Sequence, residues 1–600
     1  MPPLLLNASR LLHFPPFPKP YFSSSIPFRL TSLRRPIKTL RFFTSFRFPM
    51  DAPPIVLPVK ERIELSEKED QIFTRLLDVV RHFGLETQLR VAGGWVRDKL
   101  LGKECYDIDI ALDNMLGKDF CEKVNEYLKS VGEQEQGIGV IQCNPDQSKH
   151  LETARMRIYD TWIDFVNLRS ETYAENSRIP TMKFGTAEED AYRRDLTINS
   201  LFYNINNSSV EDLTGRGLKD LKSGLIVTPL PPKATFMDDP LRVLRAIRFG
   251  ARFGFVLAEE LKEAASDEEV RSALANKISR ERIGHEVDLM MLDKQPVKAM
   301  AWICGLRLVS VVFAFPESPR PPIDEHYDRL CISHIEAAWS LLQAIGPALF
   351  TDDQRRLCLY SSLLLPLRCT TYLDKKLKEV PVAGYIIRES LKLKASDSDT
   401  VVNIHNACNK FVELFTLLES NEIPENIRAD LEDEFLEIPS TSIKRVFTGL
   451  LLRQIKDFWR VALLTSTLLD PALHLTNDNL DRNEGLDRRT EMFLRAESTI
   501  TQLGLDGVWK TKLLLDGKAI MGVLQLKSGG PTIGQWVRGA FSYLLLYLFC
   551  LCVIYIFILY EKNSRLPLQN LKTWFVSLQE SLVCQIQLKQ LRNYLLSAIF

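Results

Sequence analysis

The chain has 600 residues, too many for one hydrophobic core, and its length predicts three to five domains. Its composition is globular, with 46% hydrophobic and 25% charged residues, and its 76 basic residues balance its 76 acidic ones. A net charge of zero excludes a chain that is basic throughout, so a nucleic-acid surface must be a local patch. The 11 cysteines are scattered without a CxxC pair, which argues against a zinc module or a disulfide scaffold and for a reducing compartment.

Residues 1–50 form an unusual leader, because they contain no Asp or Glu and are rich in Arg, Ser, Phe and Pro. This composition is typical of an organellar transit peptide, with a disordered basic tail as the alternative. Met50 stands directly before the first acid, Asp51, and a second start there would give a form without the leader. We therefore expect a protein of the mitochondrion, the chloroplast or both, with a cytoplasmic or nuclear form that starts at Met50.

The most informative stretch runs from residue 91 to residue 112, VAGGWVRDKLLGKECYDIDIAL. Its paired glycines, Gly93 and Gly94, would let the backbone approach a phosphate without a Cβ in the way. Asp107 and Asp109 would project from one face of a strand, because side chains alternate between its faces. Two adjacent carboxylates repel unless a cation lies between them, and Mg²⁺ is often held by one or two carboxylates and substrate phosphates. The stretch predicts a phosphoryl-transfer site, the alternative being a turn before an ordinary strand.

The segments around this stretch predict a small α/β unit. Apolar periodicity indicates helices within 63–83 and near 118–129, and strands at 89–91, 137–143 and 161–168. The last strand contains Asp164, which we interpret as a third carboxylate of the site rather than a solvated strand residue. Residues 171–185 show no period and contain Pro180 and Gly185, so they predict a long loop, and such loops are often functional.

Two arginine-rich segments follow. Residues 193–204, RRDLTINSLFYN, predict an amphipathic helix headed by charged residues, with Ile198, Leu201 and Phe202 inside. Residues 236–255 predict a second helix, with Pro240 in its first turn and Asp238 and Asp239 at its positive end. Its arginines fall three or four apart on one face, as either a salt-bridged surface or a wall for a nucleotide: Arg242, Arg245, Arg248 and Arg252.

A further helix is predicted at 278–291, with Ser279 as its N-cap and an i, i+4 pair between Arg282 and Glu286. From residue 299 to about 526 the chain is Leu-rich, and it predicts irregular helical structure without a glycine-rich loop or a pair of acids.

Taken together, these stretches resemble the class II CCA-adding enzymes, the tRNA nucleotidyltransferases of bacteria and eukaryotes in the polymerase-β superfamily, and favour a member of plant type. The resemblance covers about residues 70–530 and includes five family motifs in order: GGWVRDKLLGKECYDID from Gly93, RRDLTINSLFYN from Arg193, DLTGRGLKD from Asp212, DDPLR from Asp238 and ISRERIGHE from Ile278.

The resemblance implies an α+β fold, a polymerase-β-like nucleotidyltransferase head with a small mixed sheet and helices, followed by an all-α neck, body and tail. We place the transit peptide at 1–50 and the head at 60–205. The neck at 206–290 would carry the nucleotide template. The helical body and tail at 291–535 would bind tRNA, and 536–600 would form a divergent hydrophobic C-terminus.

The implied reaction adds and repairs the 3′-terminal CCA of tRNA from CTP and ATP, without a nucleic-acid template, and releases pyrophosphate. The enzyme would bind the tRNA acceptor arm mainly by its shape and phosphates, and no protein partner is predicted. The resemblance also implies that residues 171–185 are needed for the switch to ATP. The alternatives are a bacterial-type poly(A) polymerase, which shares the head, and an inactive RNA-binding paralogue, against which the intact site residues argue.

The resemblance further assigns roles to individual residues. Asp107 and Asp109 would hold two Mg²⁺ ions, with Asp164 as a further catalytic carboxylate. Asp239 and Arg242 would pair with the base edge of CTP or ATP, and Asp238 departs mildly from the Glu that is frequent in the family. The full set expected to bind the nucleotide is Gly93, Gly94, Arg97, Arg194, Asp195, Asp239, Arg242, Arg245 and Arg248.

The C-terminal part departs from the family near 529–531. Residues 540–560, AFSYLLLYLFCLCVIYIFILY, carry no charge and are long enough to span a bilayer. We favour a divergent or alternatively spliced C-terminus over a membrane anchor, and the sequence leaves contact with a membrane open.

Overall fold

A seven-stranded mixed sheet with helices forms the N-terminal part of the molecule. The computed structural model describes residues 58–141, 153–172, 181–419, 423, 425–432, 438, 440–469, 481–511, 530, 533, 534, 537, 538, 541, 542 and 545. The leader at 1–50, Met50, residues 173–180 of the predicted loop and most of the apolar run at 540–560 lie outside these residues.

The elements of this part follow one another as α1 Glu67–His82, β1 Leu89–Ala92, α2 Gly94–Leu100, β2 Ile108–Leu112, α3 Gly117–Ser130, β3 Ile138–Ile141, β4 Thr153–Ile158, β5 Thr161–Asn167, β6 Arg169–Thr172, β7 Thr181–Phe184, α4 Ala187–Tyr192, β8 Phe202–Asn204 and β9 Ser209–Glu211. The strand order in the sheet is β3-β4-β5-β2-β1-β8-β9. β2 and β5 are parallel, and the other neighbours are antiparallel. The α+β fold is thus confirmed for the head, whose sheet extends a few residues past the predicted boundary at 205.

Helices α1 and α3 cover one face of the sheet. α1 begins at Ser66, whose side chain forms a capping box with Glu69. The apolar residues that recur along α1 are buried, and the ring of Phe73 lies 6.2 Å from that of Tyr203 in β8. On α3, the ring of Phe120 lies 5.4 Å from that of Phe165 in β5. This packing buries one face of β2 and β5, so the alternate residues of these strands project from the opposite face.

The opposite face is covered over only part of its width. A small apolar cluster lies there on β1, β2 and β8 and includes Ala92, Ala111, Phe202 and Ala191 of α4. On β5 and β4 this face carries exposed side chains, among them Trp162 of β5. On this face, the half formed by β1 and β8 is therefore covered by α4, whereas the half formed by β5 and β4 has exposed side chains. We call these the closed and the open half.

Two sequence predictions in this region were wrong in part. Residues 193–204 do not form a helix: α4 ends at Tyr192, a single 3₁₀ turn spans Thr197–Asn199, and β8 follows. The reason is that Phe202–Asn204 pair with β1, which outweighs the helical spacing of the apolar residues. The predicted loop at 171–185 is a β-hairpin at its base, because β6 and β7 pair from Arg169 and Phe184 to Thr172 and Thr181.

The helical part begins with α5 Gly217–Ser223, β10 Leu225–Ile226, α6 Pro232–Asp238, α7 Leu241–Phe253, β11 Val256–Leu257, α8 Glu259–Ser266, α9 Glu268–Lys277 and α10 Arg280–Leu292. It continues with α11 Pro296–Gly305, α12 Val309–Val312, α13 Tyr327–Ile345, α14 Asp352–Leu363, β12 Thr371–Leu373, β13 Glu379–Pro381, α15 Val382–Tyr385, α16 Ala395–Glu419, α17 Glu425–Glu432, α18 Ile443–Ile455, α19 Trp459–Thr467 and α20 Asp481–Gln502. One hydrophobic core runs from the head into these helices.

The start of the apolar C-terminal run packs on the helical body. Phe541 and Leu545 are fully buried, and Arg453 of α18 lies 4.0 Å from the Phe541 ring centroid. A Cβ on Gly449 of α18 would come within 2.5 Å of a Leu545 methyl group, so any larger residue there would have to displace the Leu545 side chain. Among the described residues, no helix has both the length and the apolar character needed to cross a membrane.

Candidate active site

Three carboxylates meet on the open side of the sheet. Asp107 directly precedes β2, and Asp109 of β2 lies in register with Asp164 of the parallel strand β5. One oxygen of each of the three carboxylates lies within 4.8 Å of those of the other two. The prediction that Asp164 lies beside Asp107 and Asp109 is therefore confirmed, and it follows from the parallel pairing of β2 with β5.

The electrostatics of this cluster suit a divalent cation. Burial raises the pKa of Asp109 to about 6, and the neighbouring Asp107 and Asp164 carboxylates add to the shift. Arg155 of β4 binds both oxygens of Asp164, through Nε at 2.5 Å and a terminal nitrogen at 2.7 Å. The guanidinium groups of Arg194 and Arg155 thus offset part of the charge of the three carboxylates, and a bound cation would offset the rest. The donor set consists of hard oxygen ligands, which fits Mg²⁺.

The turn between β1 and α2 requires glycine at its first position. Gly93 has a φ of +64°, and a Cβ there would lie 2.6 Å from a terminal nitrogen of Arg194 and 3.0 Å from the Asn199 carbonyl oxygen. Arg194 is held by Asp190 of α4 through Nε at 3.0 Å, and it donates to the Asn199 carbonyl at 3.1 Å. Gly93 therefore allows Arg194 to lie against the backbone, and Gly94 begins α2 beside them.

Arg97 lies inside the molecule rather than on the surface of the cleft. Its side chain is only 3% exposed and donates from Nε to Asp98 at 2.9 Å and from a terminal nitrogen to the Asn199 side chain. The guanidinium carbon lies 5.0 Å and 4.7 Å from the ring centroids of Phe249 and Phe253 in α7. The structure therefore makes Arg97 a contact between α2 and α7.

A chain of ion pairs links the head to the neck. Arg245 of α7 donates from Nε to Asp195 at 2.7 Å, and Arg248 donates to Glu286 of α10 at 2.6 Å. Arg245 also lies 3.9 Å from Glu286. Burial alone would raise the pKa of Asp195, but the Arg245 guanidinium and a hydrogen bond from Asn199 outweigh it and lower the pKa to about 2. Arg245 and Arg248 thus both form ion pairs with acids of other elements, and Arg248 is buried.

The predicted base-reading pair lies at the start of α7. Asp239 accepts from the Leu241 backbone N–H at 3.2 Å through Oδ1 and from Arg282 at 3.1 Å through Oδ2. Arg242 donates to the Arg193 carbonyl oxygen at 2.6 Å. The predicted pair between Arg282 and Glu286 was wrong, because both have tertiary partners instead: Arg282 donates to Asp239, just before α7, and Glu286 accepts from Arg248 on α7.

Several side chains at the site were missed by sequence reasoning. Asp190 is 1% exposed and binds both Arg193 and Arg194, and its i, i+3 and i, i+4 spacing to them was a readable signal. Arg155 stands opposite Asp164 in the β4–β5 pair, a relation that required β4 to be recognised. Asn199 joins Arg97 to Asp195, and no local pattern pointed to it.

The chain is similar in sequence to known proteins over its head and over most of its length. Residues 89–227 match the family model of the poly(A) polymerase head domain. The mitochondrial CCA tRNA nucleotidyltransferase of Candida glabrata is 35% identical over 512 residues, which cover 79% of this chain and 91% of the relative. Its counterpart from Saccharomyces cerevisiae is 34% identical over 522 residues, 82% of this chain and 91% of the relative. The chain belongs to the CCA tRNA nucleotidyltransferase family.

The sequence similarity to this family extends beyond the head. The head model ends at residue 227, whereas the two CCA tRNA nucleotidyltransferases match through most of the helical part as well. A solved CCA-adding enzyme in its apo form II has the same fold, with a TM-score of 0.52 at 19% identity over 80% of this chain and 92% of the other. These matches confirm the resemblance seen in the five motifs and favour CCA addition over the poly(A) polymerase alternative.

Proposed function

We propose that this CCA tRNA nucleotidyltransferase completes the 3′ end of tRNA with CTP and ATP in a cleft between the carboxylate cluster and the start of α7. The observation that carries the proposal is the meeting of Asp107, Asp109 and Asp164 beside the glycine turn at Gly93. The tRNA 3′-hydroxyl attacks the α-phosphate, and pyrophosphate leaves.

The carboxylates hold the metal in this proposal. Asp107 and Asp109 bind two Mg²⁺ ions, and Asp164, oriented by Arg155, is the further carboxylate. The chemistry that bound Mg²⁺ supplies is neutralisation of charge on the phosphate oxygens and activation of the attacking hydroxyl. The three side chains project from a rigid strand pair, so they need little reorganisation when the metal binds.

The triphosphate lies against the turn of Gly93 and Gly94 and the guanidinium of Arg194. Asp195 accepts from a ribose hydroxyl, with its carboxylate kept ionised by Arg245. Arg97, Arg245 and Arg248 act on the nucleotide indirectly, because they hold Asn199, Asp195 and the first turns of α7 in place. This assignment replaces direct phosphate contact by Arg97, whose side chain is buried.

Asp239 and Arg242 read the base. Cytosine and adenine present an amino group where uracil and guanine present a carbonyl oxygen. A carboxylate accepts from an amine, and a guanidinium donates to ring nitrogens. The Leu241 N–H and Arg282 hold the Asp239 carboxylate, and the Arg193 carbonyl orients Arg242. This hold keeps the pair aimed at one base edge for both nucleotides, while the hairpin of β6 and β7 takes part in the switch to ATP.

The test is incorporation of each of the four nucleotides into tRNA that lacks CCA. The wild type is expected to add two C and one A, whereas a poly(A) polymerase would add A to many RNAs and an inactive paralogue would add nothing. Asp239→Ala is expected to admit UTP or GTP while part of the catalysis survives, because the metal carboxylates lie on other strands. Asp119→Ala, at an exposed carboxylate on α3, is the control. A variant that lost rate but kept its selectivity would show that Asp239 does not read the base.

The proposal also includes the cellular compartment, the mitochondrion. The two fungal relatives are described as mitochondrial, which supports residues 1–50 as a mitochondrial leader. A chloroplast form in a plant-type enzyme, and a cytoplasmic or nuclear form that starts at Met50, complete the proposal on the basis of the leader's composition.

A further inference from the structure

An exposed tryptophan and two arginines stand on the open half of the sheet face that carries the carboxylates. In the β4–β5 pair, Arg155 lies opposite Asp164 and Arg157 lies opposite Trp162. Because side chains alternate between the faces of a strand, all four project from the same face as Asp109. Trp162 is 53% exposed, in contrast to its neighbour Ile163, which is fully buried on the other face.

The two halves of this face differ in what they offer a substrate. On the side of β1 and β8 lie the glycine turn at Gly93, Arg194 and the small apolar cluster under α4. On the side of β5 and β4 lie Trp162 and Arg157, and the edge strand β3 places Gly139 opposite Arg155. Since Gly139 has no side chain, no side chain from β3 covers Arg155 at this position.

The geometry of the reaction places the nucleotide on one half of this face and the tRNA 3′ end on the other. In an in-line displacement, the attacking and leaving oxygens lie on opposite sides of the phosphorus atom. The nucleotide and its leaving pyrophosphate occupy the side of Gly93 in the proposed function. The attacking 3′-hydroxyl must then approach the carboxylates from the side of β5 and β4, where Trp162 stands two residues before Asp164.

The chemistry of this surface fits a single-stranded RNA end. Unpaired bases stack on aromatic side chains, and this stacking tolerates any base. An arginine guanidinium presents planar donors to a phosphate. Arg157 is half exposed, and its ion pair with Asp160 at 3.3 Å is an exposed surface pair, a weak kind of contact with which a phosphate can compete. A single exposed aromatic residue is common on protein surfaces, but this one adjoins the carboxylates and faces an arginine.

We propose that Trp162 and Arg157 form a platform that binds the unpaired 3′ end of the tRNA, with Trp162 stacking on a base and Arg157 contacting a phosphate. Arg155 remains on Asp164 and marks the boundary between this platform and the carboxylate cluster. The inference rests on the proposed function, because it takes the position of the nucleotide from it.

The experiment compares two tRNA substrates, one ending in the unpaired CC and one whose acceptor stem ends blunt, by equilibrium binding to the full chain. Trp162→Ala is expected to weaken binding of the first RNA by at least about fivefold, as expected for loss of one stacked base. Binding of the blunt RNA and of CTP is expected to stay within about twofold of the wild type. Trp162→Phe, which keeps a ring, is expected to restore most of the loss.

The matched control is Tyr159→Ala. Tyr159 is also exposed and lies on the same hairpin, but its ring centroid lies 5.2 Å from the guanidinium carbon of Arg75 on α1, which covers the other face. An equal loss for both RNAs, an equal loss in Tyr159→Ala, or unchanged binding in Trp162→Ala would each overturn the platform. Failure of the proposed function is separate, because the wild type would then not add C and A to tRNA at all.

Discussion

The carboxylate cluster and the ion-pair chain beside it both consist of acids and arginines, but the pKa of an acid is raised in the first and lowered in the second. At the cluster, Arg155 binds only Asp164 of the three acids, and burial, helped by the neighbouring carboxylates, raises the pKa of Asp109 to about 6 despite the charges of Arg194 and Arg155. In the chain that joins the head to α10, Asp195 has Arg245 as its partner, and its pKa is lowered to about 2. Burial acts to raise the pKa of both Asp109 and Asp195. The opposite directions of their pKa shifts therefore follow from their charged neighbours, and not from burial alone.

This difference distinguishes a group of acids that repel one another from a group whose acids are each paired with an arginine. Carboxylates that repel one another in the folded protein gain most from a cation, so a cation bound at the cluster would relieve this repulsion. The ion-pair chain is already neutralised and instead fixes the positions of α7 and α10. If this comparison is correct, changes at the cluster affect catalysis with little effect on folding, and changes in the chain affect folding.

The largest effect is expected from Asp109→Ala. Loss of this carboxylate removes a metal ligand, and loss of one group that stabilises transition-state charge typically lowers the rate about 100- to 1,000-fold. The free energy of unfolding without metal is expected to stay the same or rise, because a repelled charge is removed. Incorporation of CTP and ATP into tRNA and thermal unfolding in EDTA measure the two properties. Asp119→Ala, an exposed acid on α3, which covers the other face of the sheet, is the control.

Residual activity above a few per cent for Asp109→Ala would contradict its role as a metal ligand. Activity lost together with binding of tRNA would point to a folding defect, so tRNA binding is measured on the same preparation.

A different outcome is expected for Arg248→Met on the ion-pair chain. This change leaves the buried Glu286 carboxylate with only Arg245 at 3.9 Å, and breaking a buried pair typically destabilises a protein by about 3–5 kcal/mol. The measurement is the free energy of unfolding in denaturant. Arg252→Met, on the same helix at an exposed position, is expected to change stability by less than about 0.5 kcal/mol. Equal stability of the two variants would show that the chain does not brace the neck.

The sequence predicted the elements in which local pattern and tertiary structure agree. The strand with Asp107 and Asp109, the helix after Pro240 and the strand with Asp164 all have a clear period, and each formed within a few residues of the predicted bounds. The approach of Asp164 to Asp109 could also be anticipated, because the alternation of strand residues limits where such acids project.

The remaining features depend on contacts that are distant in sequence. Arg282 and Glu286 have the spacing of a helical pair, but Arg282 pairs with Asp239, just before α7, and Glu286 pairs with Arg248 on α7. The apolar residues within 198–202 have helical spacing, yet Phe202 lies in β8, because this segment pairs with β1 in the sheet. The family resemblance implied that Arg97 binds the nucleotide, and only the packing of α7 against it shows that it is buried.

The smallest effect expected is a pH dependence of stabilisation by Mg²⁺. Because the pKa of Asp109 is raised in the folded chain, the protonated form is favoured there, and the stability it contributes falls as pH rises through the range up to about 6. Mg²⁺ needs the ionised carboxylate, so its apparent affinity is expected to fall by about tenfold for each pH unit below the pKa and to be constant above it. Thermal unfolding with and without MgCl₂ at about pH 5 and about pH 7.5 measures the difference, which Asp109→Asn is expected to reduce. An equal shift of Tm at both pH values in the wild type would mean that Asp109 does not bind the metal or is already ionised at the lower pH. In either case the cluster would resemble the ion-pair chain more closely than its geometry indicates.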